Sequence, residues 1–92
     1  MKNYEALFVL KPGQEDSIKK VTASIADSIK KNKGNIIKED NWGKRTLAYP
    51  IKKHQEGVYY KLNFSIDSLS IENLNRTYKL NSGILRTLII KR

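Results

Sequence analysis

Cysteine is absent from the 92 residues, which excludes disulfides, thiol nucleophiles and thiolate metal sites and is compatible with a reducing cytosol. Histidine occurs once, at His54, with no cysteine partner and no metal-ligand spacing around it, so neither zinc chemistry nor a nucleophile and base pair is signalled. Long apolar runs are also missing. No stretch approaches the length that spans a bilayer, and Glu5 interrupts the apolar start from Tyr4 to Leu10, with no small-residue cleavage site after it, so no signal peptide is expected. Lys2 stands where N-myristoylation needs glycine, which argues further against a membrane partner. Acidic residues are scarce: 9 against 18 lysines and arginines, for a formal charge of +9 and a pI near 9.9. That balance favours an anionic partner such as nucleic acid, although membrane headgroups would attract the same charge.

A chain of this size forms one domain, residues 1–92, and buries roughly 60–65% of its unfolded surface. It contains no solenoid-like repeat, low-complexity segment or linker. Residues 3–10 alternate as a strand, with Tyr4, Ala6, Phe8 and Leu10 on one face and Asn3, Glu5, Leu7 and Val9 on the other. Pro12-Gly13 gives a turn, and a helix is expected over 16–33, with Ile18, Val21, Ile25 and Ile29 as its apolar stripe. Asp16 to Lys20 and Asp27 to Lys31 are i, i+4 pairs on its charged face, and Gly34 is the expected left-handed cap. The lysines of its last turn read as a solvated face that complements the helix dipole.

A second strand is expected from Ile36 to about Ala48, interrupted near Trp42-Gly43 and too polar in its middle for a sheet centre. Its far half is the stretch Gly43-Lys44-Arg45-Thr46-Leu47-Ala48-Tyr49-Pro50-Ile51, in which Gly43 permits a bulge and Pro50 stops the ladder. Lys44 and Arg45 either guard an edge or face phosphates, and periodicity does not choose between them. A polar loop over 52–57 leads to the clearest strand in the chain, with Val58, Tyr60, Leu62, Phe64 and Ile66 pointing one way and Tyr59, Lys61, Asn63 and Ser65 the other. A helix over about 69–80 buries Ile71, Leu74 and Tyr78, and a strand from Ile84 to Lys91 closes the order βαββαβ. This is the ferredoxin-like split βαβ arrangement, an α+β fold with a four-stranded antiparallel sheet and two helices on one face. Right-handed crossovers are expected to set the first and last strands side by side near the sheet centre, with the second at an edge.

The motif G-K-R-T-L-A-Y-P-I over residues 43–51 closely resembles the signature stretch of bacterial ribosomal protein number six of the small subunit. The resemblance extends to Met1-Lys2-x-Tyr4-Glu5, Val9-Leu10-Lys11-Pro12, Gly34, Glu56-Gly57 before Tyr59-Tyr60, and the apolar run closing on Lys91, so it covers essentially the whole chain. It implies the same fold and a structural, non-catalytic role on the cytoplasmic ribosome. Members of that family bind the central domain of small-subunit ribosomal RNA together with ribosomal protein number eighteen, without a cofactor or small-molecule substrate. Relatives often carry a charged tail beyond the last strand, whereas this sequence stops at Arg92, and a role that depends on such a tail is not carried over from the resemblance.

If the helices cover the face bearing Ala6, Phe8, Leu62 and Phe64, then Leu7, Val9, Leu88 and Ile90 lie together on the open face as a patch for a protein partner. The candidate RNA contacts are Lys2, Lys44, Arg45, Tyr49, Lys52, Lys53, Arg86, Lys91 and Arg92. Among the motif residues, Arg45 and Tyr49 are assigned to contact, and Gly43, Leu47 and Pro50 to shape. Trp42, Tyr49 and Tyr59 could stack on bases if exposed, or pack within the fold. An RNA-recognition motif shares this architecture, but here the first strand presents Glu5, Leu7 and Val9 where an aromatic is wanted. An acylphosphatase also shares it, yet the loop Lys11–Asp16 has no arginine and carries two carboxylates that would repel phosphate.

Overall fold

Period-two alternation sorts side chains onto two faces of a sheet, and in the computed structural model, which describes residues 1–92, only one of those faces is covered by helices. The elements are β1 (Lys2–Leu10), α1 (Glu15–Lys31), β2 (Asn35–Ile51), β3 (His54–Ile66), α2 (Ile71–Leu80) and β4 (Ile84–Lys91), with a single 3-10 turn at Ser68–Ser70 leading into α2. All neighbouring strands are antiparallel, in the order β2-β3-β1-β4. The expected order is thus corrected in one respect: β4 does lie beside β1, but as an edge, and the central pair is β1 and β3. Each crossover joins two strands that are parallel and one strand apart, so the two β-α-β units interleave and place their first strands in the middle.

The covered face holds one continuous core. Tyr4, Ala6, Phe8 and Leu10 of β1 meet Val58, Tyr60, Leu62, Phe64 and Ile66 of β3, and Ile25 and Ile29 of α1 with Leu74 and Tyr78 of α2 close over them. Ile18, Val21 and Ile71 flank this cluster and stay partly exposed. Phe8 meets the Tyr78 ring edge-on, with centroids 5.1 Å apart. The Ser28 and Tyr78 hydroxyls lie 2.8 Å apart and tie the helices together, while burial pushes the Tyr78 phenol up to about 12.

Two local expectations for α1 are corrected. Its first-turn ion pair is Glu15 with Lys19 at 3.7 Å, in place of Asp16 with Lys20, while Asp27 pairs with Lys31 at 3.2 Å as expected. The left-handed residue after the helix is Lys33, at φ 64°, and not Gly34. Gly34 is required for a different reason: a Cβ there would come within 2.8 Å of Ile29 Cγ2 and 3.0 Å of the Ser65 carbonyl oxygen. Close approach to Ile29 of α1 and to the backbone of β3, not a positive φ, excludes a side chain.

β2 is longer than expected. It continues through Pro50 to Ile51, and the expected loop shrinks to a two-residue turn at Lys52-Lys53, after which Ile51 pairs with His54. Pro50 is tolerated because the ladder shifts register between Thr46 and Ile51 on an edge strand, where its missing donor costs nothing. The bulge does fall at Trp42-Gly43: Asn41 opposes Tyr60 and Gly43 opposes Tyr59, so Trp42 is the extra residue. Gly43 takes φ 79°, and its N–H donates to Asn41 Oδ1 at 2.9 Å.

Candidate functional site

The open face of the sheet divides into an apolar half and a charged half, and strand register explains both. Across β1 and β4, Leu7 faces Leu88, Val9 faces Arg86 and Glu5 faces Ile90; across β1 and β3, Val9 faces Tyr59 and Leu7 faces Lys61. At the hairpin end lies a groove of about 210 Å³, walled by Leu7, Leu88 and Arg86 on one side and by Tyr49, Ile51 and Tyr59 on the other. The extension of β2 past Thr46 supplies the second wall. Leu88 and Ile90 are each about half exposed, at 51% and 52%.

Val9 departs from its expected place in the exposed patch. It is only 6% exposed, because Leu47 and Leu85 pack against it as a second, smaller core on the open face. Gly57 permits that packing, since a Cβ there would meet Val9 Cγ1 at 2.5 Å. The apolar surface that stays accessible on this face is therefore Leu7, Leu88 and Ile90 with the groove, and Val9 forms its floor.

In the charged half, Glu5 accepts from Lys61 at 2.7 Å and from Arg92 at 2.7 Å. The hydrogen bond from Lys61, joined by the charges of Lys61 and Arg92, holds the Glu5 carboxyl below its ordinary 4.5. Trp42 and Tyr59 stack on each other with centroids 6.4 Å apart and planes 15° apart, and Lys61 sits 5.9 Å from the Trp42 ring. Two of the three candidate stacking rings thus engage each other, whereas Tyr49 is 64% exposed on the groove wall.

The candidate cations do not form one cluster. Lys44, Arg45, Lys52, Lys53 and Arg86 gather toward the hairpin end, with Arg45 Nε donating to the Trp42 carbonyl at 3.4 Å. Lys2, Lys91 and Arg92 lie at the opposite end, where Tyr4 pairs with Lys91, and Arg92 is committed to Glu5. Sequence reading missed the roles of Ile51, which reaches the groove through the extension of β2, and of Leu85, which packs against Val9 beside a bulge in the β1–β4 ladder. The Glu5–Lys61 pair was legible in principle, since period two puts both residues on the open face. No helix is long and apolar enough to cross a membrane.

Comparison with known proteins gives one consistent result. The family model described as Ribosomal protein S6 matches residues 3–91. The small ribosomal subunit protein bS6 of Thermoanaerobacter pseudethanolicus is 41% identical over 92 residues, covering 99% of this chain and 97% of that one. That of Corynebacterium kroppenstedtii is 37% identical, with the same coverage. The crystal structure of 30S ribosomal protein S6 from Thermotoga maritima superposes with a TM-score of 0.93 at 29% identity, over 99% of this chain and 87% of that one.

Proposed function

The chain belongs to the ribosomal protein S6 family of the small ribosomal subunit, and from that premise we propose that it binds the central domain of small-subunit ribosomal RNA jointly with ribosomal protein number eighteen. It is a structural constituent of the subunit and not an enzyme, and its place is the cytoplasmic ribosome. The observation that carries the joint reading is the apolar groove on the open face, continuous with the half-exposed Leu88 and Ile90. Covering those two side chains contributes about 1 kcal/mol each before association costs, and an aliphatic surface suits a protein better than a base. The protein partner docks there through Leu7, Leu88 and Ile90.

Phosphates are met by the cations that rim the sheet, Lys44, Arg45, Lys52, Lys53 and Arg86 at one end and Lys2, Lys91 and Arg92 at the other. Tyr49 is the ring free to stack. Because these contacts are electrostatic, RNA affinity falls as salt rises, and the joint surface of the two proteins strengthens it. The test is binding of the purified protein to a central-domain ribosomal RNA fragment over a salt series, with and without ribosomal protein number eighteen. Tight binding is expected only with the partner, and Leu88→Glu is expected to abolish it while leaving the fold intact. Equal binding of the lone protein to short single-stranded RNA would replace this reading with that of an RNA-recognition motif.

A further inference from the structure

We propose that the groove between α2, β4 and the tip of the β2–β3 hairpin binds the phosphate backbone of RNA through Lys52, Lys79 and Arg86, with Asn75 and Thr87 as polar contacts. This rests on the RNA-binding reading above and assigns it a surface that includes Lys79, a residue with no place in the sheet pattern. The groove measures about 460 Å³, more than twice the apolar groove, and no carboxylate lines it. Its three cations come from a turn, a helix and a strand, and converge only in the folded chain. None is neutralised: six of the 18 lysines and arginines make ion pairs, and these three are not among them.

The hairpin tip adds an independent observation. Lys52 and Lys53 take φ 49° and 70°, the paired left-handed geometry of a two-residue hairpin turn that Asn-Gly adopts without strain. Two long cations occupy it here, so a local conformational rule gives way to charge at the mouth of the groove. Arg86 lines this groove and the apolar one on the open face. It is the side chain through which a docked protein and bound RNA would influence each other. With charge but no exposed ring or base-reading amide cluster, the groove fixes register on the backbone and does not read sequence.

The test compares Lys79→Gln, the pair Lys52→Asn with Lys53→Gly, and Lys30→Gln at the far end of α1, each with ribosomal protein number eighteen and the central-domain RNA fragment. The first two are expected to lose affinity several-fold and to flatten the slope of log affinity against log salt by about 0.7–0.9 per lost contact, with Lys30→Gln unchanged. The Asn-Gly variant is expected to raise Tm by a few degrees, so its lost affinity is not lost folding. Wild-type affinity and slope in both variants, with loss only on changing Lys44 or Arg45, would overturn the groove and leave the RNA reading standing. Loss of affinity for the protein partner alone would assign the groove to an acidic protein segment and overturn it equally. Failure of the wild-type pair to bind the fragment would overturn both.

Discussion

On the helix-covered face of the sheet, fourteen buried side chains form one continuous cluster; on the open face only Val9, Leu47 and Leu85 are buried, and Leu88 and Ile90 beside them stay half in solvent. Both faces come from the same alternating strands, so local pattern does not separate them. What separates them is the chain's own supply of cover. Two helices close the first face, whereas the second receives only the far end of β2. Packing is therefore concentrated on one side and exposed apolar surface on the other.

The sharpest way to break this comparison is to truncate matched apolar residues on the two faces. Phe8→Ala, in the covered core, is expected to cost about 3–5 kcal/mol in urea unfolding, because a buried ring packed edge-on against Tyr78 leaves a cavity. Leu88→Ala is expected to stay within about 0.5 kcal/mol of wild type in the free protein. Comparable losses would mean that the open face is already a core.

A smaller effect is expected at Gly57, where the open face does carry some packing. Gly57→Ala drives a methyl against Val9 Cγ1, and about 1–3 kcal/mol of destabilisation should follow, together with weaker partner binding as the groove floor shifts. A neutral Gly57→Ala in both assays would show that the Val9–Leu47 contact yields freely.

The smallest effect belongs to Glu5. Its folded-state pKa lies below its ordinary 4.5, so its stabilisation is present above that value and is lost as pH falls through the folded value. Urea midpoints of wild type and Glu5→Gln should therefore differ near neutral pH and converge in acid. A gap that persists unchanged in acid would assign the difference to packing and not to the ion pair.

The alternation in β3 and the helical spacing of Ile25 and Ile29 were legible because period two and period 3.6 report directly on which side meets a core. The bulge at Gly43 was legible too, from a glycine beside a tryptophan in a polar edge strand. The ion pair at the start of α1 was misassigned because Glu15 and Asp16 offer nearly equivalent partners one residue apart. The role of Gly34 was misassigned because a close approach by Ser65 of another strand leaves no local trace. For the candidate site, the open-face position of Leu7, Leu88 and Ile90 was read correctly, while the burial of Val9 was not. Its cover comes from Leu85 and from Leu47, which stands 38 residues away in the chain and packs on Val9 where Gly57, without a side chain, leaves room between them.

Composition, charge and periodicity by themselves determined a basic, cysteine-free chain of order βαββαβ with one face of its sheet left open. Those properties depend on residue type and on spacing along one element, which the chain states directly. Only the tertiary structure decided that β4 is an edge, that Val9 is a floor, and that Lys52, Lys79 and Arg86 share a groove. Each of these depends on which distant elements become neighbours, and that is set by interleaved crossovers and close backbone approaches.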